Sequence, residues 1–184
     1  MEITYNGYHG TSESAQQSII SEQHFRASCQ DTEWAGTGIY FFVEDSPYDN
    51  ALKWAKYIRQ MYKPAVLRAD ISMDSEQLFD VTIPFYQKQF QRFREEYFRK
   101  ARMEAKRAGK TIDQSVLKRL NLDCAVFNKI CDSMKFTAVK RQCYIRFRKN
   151  GSWKDYPSSG IPNCTILCIR DETQIISIKP CKSR

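Results

Sequence analysis

Trp34-Ala35-Gly36-Thr37-Gly38-Ile39-Tyr40-Phe41-Phe42-Val43 is the stretch on which the fold turns. A glycine-rich turn feeds Gly38–Val43, a compact apolar and β-prone run that reads as a buried strand. Gly36-x-Gly38 is not a dinucleotide fingerprint: the third glycine is absent, and a strand rather than a helix follows. Upstream, Ile3–His9 reads as a strand running into Gly10. Thr11 or Ser12 then caps a helix with Ala15, Ile19 and Ile20 on one face. Downstream, Asp45-Ser46-Pro47 turns the chain into a helix, Asn50–Met61, that carries Ala51, Trp54, Ala55 and Ile58 together. Pro64 ends it, and Ala65–Ile71 begins a strand.

Farther out, the spacing predicts a helix over Pro84–Ala108, stopped by Gly109, and another over Ile112–Met134, bent near Asn121. A strand-like Phe136–Phe147, a loop at Asn150–Pro162 and closing strands at Cys164–Arg170 and Gln174–Lys179 complete the chain. The class is α+β, with strands at both ends and helices between. The 184 residues form one domain, with residues 84–134 as a helical insert.

With 42% hydrophobic and 13% aromatic residues, a chain of this length builds its own core and is not disordered. Its apolar runs are far too short to span a bilayer, and Met1-Glu2-Ile3-Thr4-Tyr5 lacks the basic lead of a secretory signal, so no membrane partner and a cytoplasmic setting are expected. The seven cysteines include no C-x-x-C pair, and His9 and His24 lie far from them in sequence. Reduced thiols packed as small apolar groups, and no metal, are the expectation.

A net charge of +8 points to an anionic partner. The excess is local. Lys88–Lys110 holds nine bases against three acids, and Lys135–Lys154 holds seven bases and no acid. Phe90, Phe93, Tyr97, Phe98, Tyr144, Phe147 and Trp153 are interleaved with them, as on a nucleic-acid surface where cations meet phosphate and rings stack on bases. The same aromatics at 86, 90, 93 and 97 follow helical spacing and equally describe a core stripe beneath a solvated basic face.

Three features then combine: Tyr8-His9-Gly10-Thr11 at a strand end, Gly36-x-Gly38-Ile39-Tyr40-Phe41 entering a strand, and Ala51-x-x-Trp54 on a helix. In this order they resemble the ADP-ribosyltransferase fold of the poly(ADP-ribose) polymerase type. The likeness covers residues 5–56 well and 163–179 more loosely. It implies a split β-sheet core that holds NAD bent. His9 would meet the adenine-side ribose and Gly10 the nicotinamide amide through its backbone. Tyr40 would wall the nicotinamide slot, with Trp54 as the opposing ring; Thr11, Gly38, Ala51 and, on a late strand, Ile166 complete the cofactor set. Three residues more than the commonest spacing separate Tyr40 from the Ala51 helix. Where the family carries a late-strand Glu, this chain has Ile166, or Thr165 if the register slips by one. The resemblance therefore implies single transfer rather than chain synthesis. The nucleophile would then need its own base or substrate assistance; the nearby acids that could serve are Glu33, and Glu44 or Asp45 just past Tyr40. The acceptor expected is RNA, held by Arg92, Arg94, Arg99, Arg146 and Arg148, with protein as second choice. Small proteins with this pattern resemble bacterial toxins of toxin–antitoxin and phage-defence systems, the CmdT-like RNA-modifying enzymes among them, which implies an antitoxin partner. An NAD- or ADP-ribose-binding module without turnover, or a basic RNA-binding domain, are the competing classes.

Overall fold

A computed structural model describes residues 1–111, 118–147 and 159–181. It is mixed α and β: seven strands in one sheet, with helices on both faces. In chain order the elements are β1 (Glu2–Ser12), α1 (Glu13–Glu22), β2 (Ile39–Val43), α2 (Pro47–Lys53) running into a π-helical turn (Trp54–Ile58), β3 (Pro64–Asp74), β4 (Leu78–Asp80), α3 (Pro84–Arg107), α4 (Arg119–Met134), β5 (Ala138–Cys143), β6 (Cys164–Ile169) and β7 (Ile175–Pro180). Their order across the sheet is β4-β5-β6-β2-β1-β3-β7, all antiparallel except β4 with β5.

Local chemistry sets the boundaries. Ser12 caps α1, its Oγ accepting from the Ala15 amide at 3.2 Å. Proline opens α2 and α3 at the first turn, where its missing N–H costs nothing. Gly109, at φ +65°, follows the end of α3 in a conformation that suits glycine.

The pairing between the two middle strands sets the geometry of the site. β1 and β3 pair along eleven residues, from Glu2↔Asp74 to Ser12↔Pro64. β2 pairs with β6 along the whole of β2, from Ile39↔Ile169 to Val43↔Thr165. Between them, β1 and β2 register only at Tyr8↔Phe42. The sheet is thus two well-laddered halves, β4-β5-β6-β2 and β1-β3-β7, joined by one rung. Phe25, Phe41, Leu67, Ile71 and Leu167 fill one face beneath Ile19 and Ile20 of α1. Ala51, Phe79, Phe90, Phe127, Ile130 and Val139 fill the other beneath α2, α3 and α4.

Several expectations are corrected here. The helix expected over Asn50–Met61 starts at Pro47 and widens into the π turn at Trp54. Residues 112–117 and most of the 150–162 loop lie outside the described residues. Residues from both helices of the 84–134 segment enter the core: Phe127 and Ile130 of α4 are buried, and the Phe90 and Phe127 rings meet at 4.5 Å. Of the interleaved aromatics, Phe90, Phe93, Tyr97 and Phe147 join the core with Tyr86, as the core-stripe alternative has it, whereas Phe98 is exposed. Trp153 lies outside the described residues.

Candidate active site

Past the Tyr8↔Phe42 rung, a continued antiparallel ladder would set Gly10 opposite Tyr40. That pairing is not formed. Instead the His9 imidazole stands in the gap, with Nδ1 2.8 Å from the Tyr40 carbonyl oxygen. A carbonyl only accepts, so Nδ1 carries the proton and Nε2 is left with a lone pair. Burial lowers the imidazole pKa, and the ring is neutral. It packs edge-on against Phe25 at 5.2 Å and Phe41 at 6.0 Å. Phe25 is held in turn by its amide donating to Glu172, whose other oxygen meets His24 at 2.7 Å.

Gly10 lies two residues beyond Tyr8, so its N–H and C=O point to the same edge of β1, toward β2. The β3 side agrees: opposite Gly10, the Val66 carbonyl accepts from the Cys181 amide, away from β1. With β2 splayed, both polar groups of the Gly10 peptide edge face the gap. A second constraint fixes the glycine. A Cβ there would lie 2.0 Å from the Ala51 carbonyl oxygen of α2.

The gap opens into a cleft of about 330 Å³. His9, Gly10, Glu33, Gly38, Tyr40, Trp54 and Ile166 all line it, joined by Trp34, Arg26 and Arg59. Tyr40 contributes its ring. Its hydroxyl donates to the Gly36 carbonyl and accepts from the Ala35 amide at 2.9 Å. Burial pushes the phenol far above its ordinary pKa, so Tyr40 is a wall and not a proton carrier. Trp54 sits edge-on to Trp34, ring centres 6.4 Å apart. Among the described residues, Glu33 is the one carboxylate of the lining, and it accepts from the Ser28 hydroxyl. Ile166 is buried in β6 opposite Phe42, on the cleft side of the strand, whereas Thr165 faces the other way. Hydrocarbon therefore stands at that position.

The remaining sequence candidates divide. Thr11 and Ala51 are buried and do not line the cleft; Thr11 pairs with Ala65, and Ala51 offers its carbonyl to the surface of Gly10. The Gly38 amide and carbonyl are both taken by Ser28 at 2.9 Å, and a Cβ would meet Cys168 Sγ at 2.5 Å, so this glycine serves strand packing. Glu44 is bound to Lys140 at 2.5 Å and, like Asp45, lies off the cleft. Arg94 is tied to buried Asp123 at 3.0 Å; Asp123 also meets Arg141, which donates to the Trp34 carbonyl at 2.5 Å. That chain couples α3 to the cleft wall and takes Arg94 out of the free basic surface. Arg92, Arg99 and Arg146 are exposed, and Arg148 lies outside the described residues.

Asn128 of α4 was not anticipated. Its Oδ1 accepts from the Thr37 amide at 2.8 Å and from Arg170 at 2.7 Å, clamping the glycine-rich turn. No spacing rule links positions 91 residues apart. All seven cysteines are free, with Cys143 and Cys164 Sγ atoms 3.4 Å apart. Among the described residues no group of three or more His, Cys, Asp or Glu is placed to hold a metal ion, and no helix is long and apolar enough to cross a membrane.

Over 80 residues, 41% of this chain, the sequence is 30% identical to an uncharacterized protein of Methanocaldococcus jannaschii. The match spans 36% of that protein's length. No family model matches the chain, and no solved structure does.

Proposed function

We propose that this chain is an NAD-dependent mono-ADP-ribosyltransferase with a split-sheet core of the poly(ADP-ribose) polymerase type. The observation that carries the reading is the Gly10 peptide edge, turned into a gap that His9 keeps open. A primary carboxamide has one acceptor and one donor side by side, as a neighbouring strand would. Gly10 N–H donates to the nicotinamide carbonyl, and Gly10 C=O accepts from its NH₂. The Tyr40 ring and Trp54 flank the nicotinamide. His9 Nε2 accepts from a ribose hydroxyl. A cleft of about 330 Å³ is at the small end of ligand sites and suits the nicotinamide-ribose end of the dinucleotide.

Transfer breaks the bond between the anomeric carbon and the nicotinamide nitrogen, whose electron pair leaves with the ring. The acceptor's oxygen or nitrogen bonds to that carbon and gives up a proton. Glu33, the one lining carboxylate, is the candidate base. With Ile166 in place of a carboxylate, nothing there orients ribose hydroxyls or polarises an incoming sugar, which favours one transfer per acceptor.

RNA is the preferred acceptor, its phosphates meeting the exposed Arg92, Arg99 and Arg146. An acidic antitoxin would use the same basic face, in keeping with a toxin of a toxin–antitoxin or phage-defence system. The test is incubation of the protein with labelled NAD, total RNA and lysate. RNase-sensitive label is the expected result, and label on protein would move the acceptor. The apolar Ile166 favours a second reading, an NAD-binding module without turnover. Thermal protection by NAD with no transfer would support that one. Neither protection nor transfer would refute both.

A further inference from the structure

The geometry points to Arg26 and Arg59 as an anion clamp at the cleft mouth that holds the diphosphate of a nucleotide. This rests on the NAD reading above and extends it to the part of the substrate that the cleft is too small to enclose. Both arginines line the cleft, both are exposed, and neither is in an ion pair among the described residues. The cations of the lining thus outnumber its single carboxylate, Glu33, which is engaged by Ser28. His9 adds no charge, because burial keeps it neutral.

Two different elements supply the pair. Arg26 follows Phe25, the residue anchored against His9. Arg59 owes its position to the π turn. The Arg59 amide bonds the Trp54 carbonyl at 2.9 Å, five residues back. That bond is an i→i+5 contact, where an α-helix would bond the amide of Ile58 instead. The turn ends at Arg59, which lines the same cleft as Trp54. Planar guanidinium groups supplied by two elements match the several oxygens of a diphosphate better than a single lysine would.

The experiment titrates wild type, R26Q, R59Q and R26Q/R59Q with nicotinamide, ADP and NAD by calorimetry, each at two salt concentrations. Both side chains are exposed, and far-UV circular dichroism confirms that the variants fold. The expected result is a loss of about tenfold in NAD and ADP affinity per substitution, a weaker salt dependence, and unchanged nicotinamide affinity. NAD and ADP affinities at wild-type levels in the double variant would overturn the clamp. If wild type bound ADP through these arginines but bound no nicotinamide, the clamp would stand and the NAD reading would fail.

Discussion

Replacing Gly10 by alanine probes the point where the cleft and α2 depend on the same backbone. The added Cβ would lie 2.0 Å from the Ala51 carbonyl oxygen, 2.8 Å from its carbonyl carbon and 3.3 Å from its Cα. None of these atoms is the end of a flexible side chain, and Asn50 and Ala51 are both buried, so relief requires moving α2 itself. Overpacking costs about 1–3 kcal/mol, and a clash confined to backbone belongs at the upper end. At about 2–4 °C per kcal/mol for a chain of this size, the melting temperature should fall by about 6–12 °C. Two other glycines calibrate the result. Gly160 meets nothing within 4 Å, and its alanine variant should melt within about 1 °C of wild type. Gly109 also has open space but sits at φ +65°, so alanine there should cost only the left-handed strain, about 1 kcal/mol. The assay is differential scanning fluorimetry of the three variants, with nicotinamide titration of G10A. A G10A protein that melts with G160A would refute the claimed contact between β1 and α2, and with it the reason for glycine at the cleft edge.

Three further outcomes are expected. Tyr40→Phe strands the buried Ala35 amide at a cost of about 1–3 kcal/mol yet keeps the ring, so it should melt lower but still bind nicotinamide; Tyr40→Ala should not bind it. His9 has a folded pKa below its ordinary 6.5, so the unfolded chain takes up a proton that the folded chain refuses. Stability should therefore decline as pH falls below 6.5, by up to about 1.4 kcal/mol per pH unit, and urea melts of His9→Asn should lack that slope. Asp70, whose carboxyl is held down to about 2 by Ser177 and Lys179, adds its own loss only between about pH 4 and 2. Charge reversal of Arg92 and Arg99 should weaken RNA binding and flatten its salt dependence with little change in melting, while Arg94→Ala should lower the melting temperature by leaving buried Asp123 short of a partner. Filter binding at several salt concentrations separates the two.

What the sequence disclosed was local. Strand, turn and cap chemistry foretold β1, α1, β2 and β3, and the residue order of three short motifs picked out His9, Gly10, Tyr40 and Trp54, which line one cleft. What it concealed was tertiary. β4 is three residues long and pairs in parallel with a strand sixty residues later, a contact that no periodicity announces. The π turn at Trp54–Ile58 has no signature in residue spacing, so it reads as plain helix in one dimension. Arg94 looked like its exposed neighbours because its partner, Asp123, comes from another helix. Gly38 carried a motif's signature, yet its reason is the sulfur of Cys168 beside it.

The lone rung between β1 and β2 has an evolutionary implication. Laddered strands are fixed about 4.8 Å apart, whatever their side chains. Beyond Tyr8 and Phe42 that gauge no longer applies, and the width of the opening is set by the ring that stands in it. Aperture has become a property of individual side chains, His9 with Phe25 and Phe41 behind it. A descendant could widen or narrow its slot by exchanging one ring while every other strand pairing stayed in place.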